Sequence, residues 1–160
     1  MGDLHVRPAT AADREAIFDV LTSSWGATTM VVHGTVYDAL SLPALLAEQD
    51  GRIVGLLTYT DSDEGLEIVS LDAVVQHGGV GSCLLTAAVE AAKQAGARRI
   101  WLVTTNDNLD ALRFYQRRGL RIVDVTPGAV DAARAVKPSI PLMGEYGIPL
   151  HDELTLELSL

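Results

Sequence analysis

Gly78, Gly79 and Gly81 fall in the run Val74-Val75-Gln76-His77-Gly78-Gly79-Val80-Gly81-Ser82-Cys83-Leu84-Leu85, where a strand pattern gives way to a helix pattern. Glycine lets the backbone turn tightly and approach a ligand, and the first N–H groups of a new helix have no partners within it and point outward. With the helix dipole behind them, such groups form a cradle for a phosphate or pyrophosphate and need no lysine. A glycine-rich turn without a ligand is the plainer alternative, and only the rest of the chain separates the two. Cys83 reads as a small packing residue, because the helix runs on through Leu84, Leu85 and Ala88. The histidines, His5, His33, His77 and His151, have no metal-ligand spacing, so no metal is expected. His77 reads as a plain loop residue.

The elements that must hold this turn can be read around it. A strand near residues 4–7 is ended by Pro8, and a helix follows with Thr10 as N-cap, Asp13 in the first turn and Ile17, Val20 and Leu21 on one face. Residues 23–29 have turn composition and no period, so a loop is expected there, with Trp25 as a lid over the core or a wall of a cleft. Asp50-Gly51 suits a tight hairpin between residues 45–47 and 53–59, and a third strand over residues 66–74 feeds the glycine turn. Leu84, Leu85, Ala88, Ala91 and Ala92 then form an apolar helical stripe that Gly96 ends. Residues 99–104 follow as a buried strand. Strand, glycine turn, helix and strand make a βαβ unit, whose two strands are expected to run parallel. A short helix before Gly119, a strand over 120–125, a helical piece over 129–136 and a last strand with Leu154, Leu156, Leu158 and Leu160 on one face complete the chain.

Composition narrows the function. The 160 residues fit a single domain, and 48% apolar residues suffice for a core. A formal charge of −9 argues against general nucleic-acid binding and suits a cationic substrate better. One cysteine permits no internal disulfide, and no apolar run approaches a membrane span. The expectation is a soluble, cytoplasmic protein that binds neither nucleic acid nor membrane.

The order of elements, with Gln76-x-x-Gly79-x-Gly81 after the fourth strand and Asn108-x-x-Ala111-x-x-x-Tyr115-x-x-x-Gly119-Leu120 after the fifth, resembles the GNAT superfamily of N-acetyltransferases. The resemblance covers nearly the whole chain. It implies an α/β (α+β mixed) fold over residues 1–160, with helices flanking a central mixed sheet that splays between strands 4 and 5. Acetyl-coenzyme A would lie in the splay as co-substrate. By the same resemblance, backbone N–H groups of Gly79, Val80, Gly81 and Ser82 would hold the pyrophosphate, Ala73 and Val74 would pair with the pantetheine arm, and the amide of Asn108 would contact the cofactor.

Acyl transfer to an amine needs an unprotonated nucleophile, a donor to the developing oxyanion and a proton for the departing thiolate. A backbone N–H near Val74 is the candidate oxyanion donor. Tyr115 matches the family position that offers its phenol to the sulfur, and Glu67, on the fourth strand, the position of a glutamate that acts on the amine through water. His33, Asp72, Glu145 and His151 are rival bases. The chain departs from the family at Gly78, where many relatives carry a basic residue, and in a shortened connection from Val74 to Gln76. The implied activity is transfer of acetyl from acetyl-coenzyme A to a primary amine, on a small molecule or a protein, by direct attack in a ternary complex. The loop holding Trp25 to His33 and the segment from Lys137 to Asp152 would line the acceptor side, with Glu145 and Asp152 favouring a cationic acceptor. A homodimer is admitted. A catalytically silent acyl-coenzyme A sensor is the alternative; a nucleotide-binding fold is disfavoured because Gly79-Val80-Gly81-Ser82 lacks a Gly-Lys-Ser/Thr ending.

Overall fold

The computed structural model describes residues 2–74 and 78–160. Val75, Gln76 and His77 of the glycine run, and the readings placed on them, lie outside the described residues. The elements are β1 (His5–Pro8), α1 (Arg14–Trp25), β2 (Thr29–Val32), β3 (Thr35–Asp38), β4 (Ala44–Gln49), β5 (Arg52–Ser62), β6 (Gly65–Ala73), α2 (Val80–Gln94), β7 (Arg99–Thr105), α3 (Leu109–Arg117), β8 (Arg121–Thr126), α4 (Ala129–Val136) and β9 (Glu153–Ser159). The class is mixed α/β with mostly antiparallel strand pairing, as expected.

The chain divides into two compact units, one comprising Met1–Met30, Asp38–Ile100 and Leu160, the other Val31–Tyr37 and Trp101–Ser159. In the first, strands run β1-β4-β5-β6, each antiparallel to the next. The expected meander is therefore present. Its β4–β5 turn has φ of 54° at Asp50 and 73° at Gly51, with Gln49 opposite Arg52, the two left-handed residues that a tight two-residue hairpin requires. Helix α2 packs over these strands through Val80, Leu84, Leu85, Ala88 and Ala92, all buried. Gly55 makes that packing close: a Cβ there would stand 2.4 Å from Val80 Cγ1 and 2.9 Å from Leu84 Cδ1.

Helix α1 begins through a short 3-10 turn, Ala11–Asp13, where the Thr10 N–H donates to Asp13 Oδ2 at 2.8 Å. Asp13 also accepts both terminal nitrogens of Arg7 at 2.8 Å, and Arg7 Nε bonds Glu48 on β4. The guanidinium holds the Asp13 carboxyl well below the usual carboxylate range. A depressed folded-state pKa gives stability that is fully present above the unfolded value of about 3.9 and is lost progressively as pH falls from there through the lower folded value. Asp13→Asn is therefore expected to flatten the acid limb of a melting-temperature profile below about pH 4 relative to the wild type. Equal acid slopes in the two proteins would remove Asp13 from that role.

Two expectations fail near α1. Residues 23–25 continue the helix, which ends only at Gly26 with φ of 75°, so Trp25 is its last residue and 45% exposed. Beyond it, β2 and β3 form a separate hairpin around His33 and Gly34, at φ of 43° and 77°.

In the second unit the strand order is β7-β9-β8. Ile100, Trp101, Leu102 and Thr104 of β7 are buried, in keeping with the expected buried strand. Strand β9 alternates less cleanly than its leucines suggest: Leu156 is fully buried, whereas Leu160 is 38% exposed and Glu153 only 6%. Every residue of β8 is exposed.

Candidate active site

Gly79 is the N-cap of α2 at φ of 74°, and a Cβ built on it meets nothing among the described residues within 4 Å. The first i→i−4 bond described in the helix runs from Cys83 N to Gly79 O at 3.0 Å, so the N–H groups of Val80, Gly81 and Ser82 precede it. Val80 is 3% exposed and anchors the helix on Gly55, while Gly81 and Ser82 are half-buried. A helix mouth with open space at its glycine cap is chemically fit to hold an anion. Cys83 is exposed, contrary to the packing role read from its neighbours. It lies on the outer side of the first turn.

Strand β6 leads toward that mouth. Val74 N donates to Val54 O at 2.8 Å, so the Val74 N–H cannot also serve a thioester carbonyl. In an antiparallel strand successive residues turn their N–H and C=O to opposite edges, which directs those of Ala73 away from β5. The expected oxyanion donor at Val74 is therefore already engaged within the β5–β6 pair.

Further up β6, Thr58 pairs with Ser70 and Tyr59 with Ile68, leaving Val69 as an extra residue. This β-bulge shifts the alternation, so that Glu67 and Asp72, five residues apart and otherwise on opposite faces, share one face. Between them Thr58 Oγ1 and Ser70 Oγ meet at 2.6 Å. The result is a polar column in which Thr58 is fully buried and Ser70 and Glu67 are each 3% exposed, ending at the half-buried Asp72. Glu67 stands opposite Thr60 in this column. Burial pushes the Asp72 carboxyl up, and hydrogen bonds from Trp25 and Ser24 partly offset it. The Trp25 indole N–H donates to Asp72 Oδ2 at 2.9 Å.

The remaining candidates belong to the second unit. Asn108 precedes α3, and its side chain, instead of capping the helix, donates from Nδ2 to Thr104 Oγ1 at 3.1 Å. Tyr115 is 7% exposed on α3, with its ring edge-on to Phe114 at 5.2 Å. Its carbonyl accepts from Arg118 and Leu120, both at 3.1 Å, which closes the helix. Of the rival bases, His151 Nδ1 pairs with Asp131 at 3.0 Å, Glu145 is exposed, and His33 sits in the hairpin turn with its ring 5.4 Å from Trp101. Asp152 Oδ1 accepts the Gly128 N–H at 2.9 Å.

Two buried carboxylates were missed from sequence. Glu153 accepts the His33 N–H at 3.1 Å, tying the hairpin to β9, and burial pushes its carboxyl up. Asp107 accepts the Glu145 N–H at 2.8 Å, and only a glycine at position 144 leaves room for it, since a Cβ there would lie 2.2 Å from Asp107 Oδ2. Glu153 immediately precedes the leucine alternation and Asp107 sits in a polar turn, so period alone marks neither as buried.

Residues 14–120 match the model of the acetyltransferase (GNAT) family. The uncharacterized protein YxbD of Bacillus subtilis is 37% identical over 96% of this chain and 97% of its own length. Among solved structures, an IAA acetyltransferase from Bacillus cereus superimposes with a TM-score of 0.76 at 22% identity, covering 99% of this chain and all of the other. A GNAT acetyltransferase from Elizabethkingia anophelis with acetyl-CoA bound has a TM-score of 0.69 at 22% identity, covering 98% of each chain. The glycine-capped helix mouth beside the end of a bulged strand thus occurs in a chain that, by a family match over two thirds of its length and a relative aligned nearly end to end, belongs to the GNAT family of acetyltransferases.

Proposed function

We propose that this acetyltransferase uses acetyl-coenzyme A as co-substrate and moves its acetyl group to a primary amine, by direct attack in a ternary complex. The observation that carries the reading is the mouth of α2, where Gly79 leaves open the space a side chain would fill and the N–H groups of Val80, Gly81 and Ser82 come ahead of the first helical bond. These groups would hold the pyrophosphate. Ala73 and Val74, at the end of β6, would flank the pantetheine arm. Asn108 would contact the cofactor by its amide, Tyr115 would protonate the departing thiolate, and Glu67 would act on the amine's side through water. The thioester supplies an activated acetyl group. Residues 1–160 would act as one acetyltransferase domain, a reading supported by a family match that spans both compact units.

The acceptor is a small-molecule amine or a protein amine. Among the described residues no helix is long and apolar enough to cross a membrane. The single, exposed Cys83 is in keeping with a cytoplasmic setting. A homodimer would cover Ile122, Val123 and Val125 on β8, which are 43%, 49% and 51% exposed.

The test has two parts. Acetyl-coenzyme A at about 100 times its Kd should stabilise the protein by about 2.7 kcal/mol. For a chain of this size that amounts to a rise of about 5 to 10 °C in Tm, with no comparable rise for ATP. A panel of amines should then give thiol release that depends on the amine. An unmoved Tm would remove the cofactor, and binding without release from any amine would leave a sensor.

A further inference from the structure

The polar column on β6 has one accessible end, and the side chain there is Asp72, not Glu67. Glu67 is 3% exposed and stands roughly 15 Å back along the strand. Asp72 adjoins Ala73, the residue whose edge turns away from β5. Its carboxylate is held by two neutral donors from the end of α1, the Trp25 indole at 2.9 Å and the Ser24 side chain. No charged group contributes to the rise in its proton affinity, which comes from burial. Trp25 is fixed by being the last residue of a helix that stops at a left-handed glycine, yet the residue is 45% exposed. An exposed indole beside a carboxylate is a combination suited to an alkylammonium ion, which is attracted to the ring face and can hand a proton to the carboxylate.

We propose that Asp72 is the proton acceptor for the incoming amine and Trp25 the wall that receives it, so that the acceptors of this enzyme are amines that are cationic at neutral pH. The inference rests on the proposed acetyl transfer and revises one part of it, the destination of the first proton. Asp72 takes one proton from R–NH3+, leaving R–NH2, and later returns it to water. The nitrogen lone pair forms the N–C bond to the acetyl carbon as the C–S bond breaks. The sulfur leaves as thiolate and takes the Tyr115 proton, and the second nitrogen proton restores Tyr115. The sum is R–NH3+ plus acetyl thioester giving acetamide, thiol and one released proton. Glu67 remains at the buried end of the column.

The experiment compares wild type, Asp72→Asn, Glu67→Gln and Trp25→Phe on benzylamine, phenethylamine and spermidine, which are cationic at pH 7, and on aniline, which is not. Asp72→Asn keeps an oxygen for the indole donor. It should lower kcat/KM for the cationic amines by about 100-fold or more at pH 7, with the deficit closing as pH rises toward 10 and the amines arrive neutral. The rise in Tm on adding acetyl-coenzyme A should be unchanged. Trp25→Phe should lower kcat/KM for the cationic amines and leave aniline turnover alone, and Asp72→Asn should cost more than Glu67→Gln. The proposal is overturned by an Asp72→Asn enzyme of undiminished rate, by a deficit that persists at high pH, by a loss confined to Glu67→Gln, or by a wild type that turns over aniline and none of the cations. Absence of release with every amine would instead sink the acetyl transfer itself.

Discussion

Tyr115→Phe is expected to lower kcat for acetyl transfer by about 10²- to 10⁴-fold while leaving KM for acetyl-coenzyme A within a few-fold. A coenzyme thiolate leaving without a proton is a poor fragment to expel, and a phenol with a pKa of about 10 keeps its proton at neutral pH until that thiolate forms. The position suits a clean substitution. Tyr115 is 7% exposed, its ring packs edge-on to Phe114, and its carbonyl closes the end of α3, all of which phenylalanine preserves. Only the hydroxyl goes, at a stability cost of about 1 kcal/mol, so a rate loss with Tm nearly held would separate chemistry from folding. Steady-state thiol release measures the first and thermal melting the second. A phenylalanine enzyme with wild-type kcat would take the proton donor away from Tyr115.

The local signals in the sequence were reliable where one force decided the outcome. Asp50-Gly51 could only be a left-handed turn, and the Leu84, Leu85, Ala88, Ala92 stripe could only be a buried helix face, and both are present. The helix through Trp25 was misread because serines suggest a turn, yet nothing before Gly26 stops the helix. The hairpin at His33-Gly34 was overlooked although β-branched residues flank it on both sides, in Thr29-Met30-Val31-Val32 and Thr35-Val36.

The candidate site was legible to a different degree on each strand. A glycine cap announces itself in sequence because few other residues tolerate its conformation. The Val69 bulge does not, since it is a mismatch between two strands and leaves no mark on either alone. Without it, alternation puts Glu67 and Asp72 on opposite faces, and Asp72 looks like one more strand-edge charge. Nor does the sequence show that the Val74 N–H, the candidate oxyanion donor, is already bonded to Val54 O.

Gly79→Ala should raise KM for acetyl-coenzyme A by about 10- to 150-fold, the equivalent of one charge-assisted hydrogen bond worth about 1.5–3 kcal/mol. The methyl group would stand in the open space at the mouth of α2, where the diphosphate is proposed to sit, and among the described residues it would meet no atom within 4 Å. Alanine at φ of 74° is strained by about 1–2 kcal/mol, so the variant will also melt about 2–8 °C lower. That loss by itself would prove nothing about a ligand. Gly96 supplies the control: it follows the other end of the same helix at φ of 75°, and a Cβ there likewise meets nothing within 4 Å. Gly96→Ala therefore carries the same backbone strain and the same packing change with no part in the cradle. If both variants lose the same Tm but only Gly79→Ala loses affinity for acetyl-coenzyme A, the cost lies in the ligand's space. Equal KM values in the two variants would mean that the helix mouth holds no diphosphate, and the residues proposed around it would lose their cofactor together.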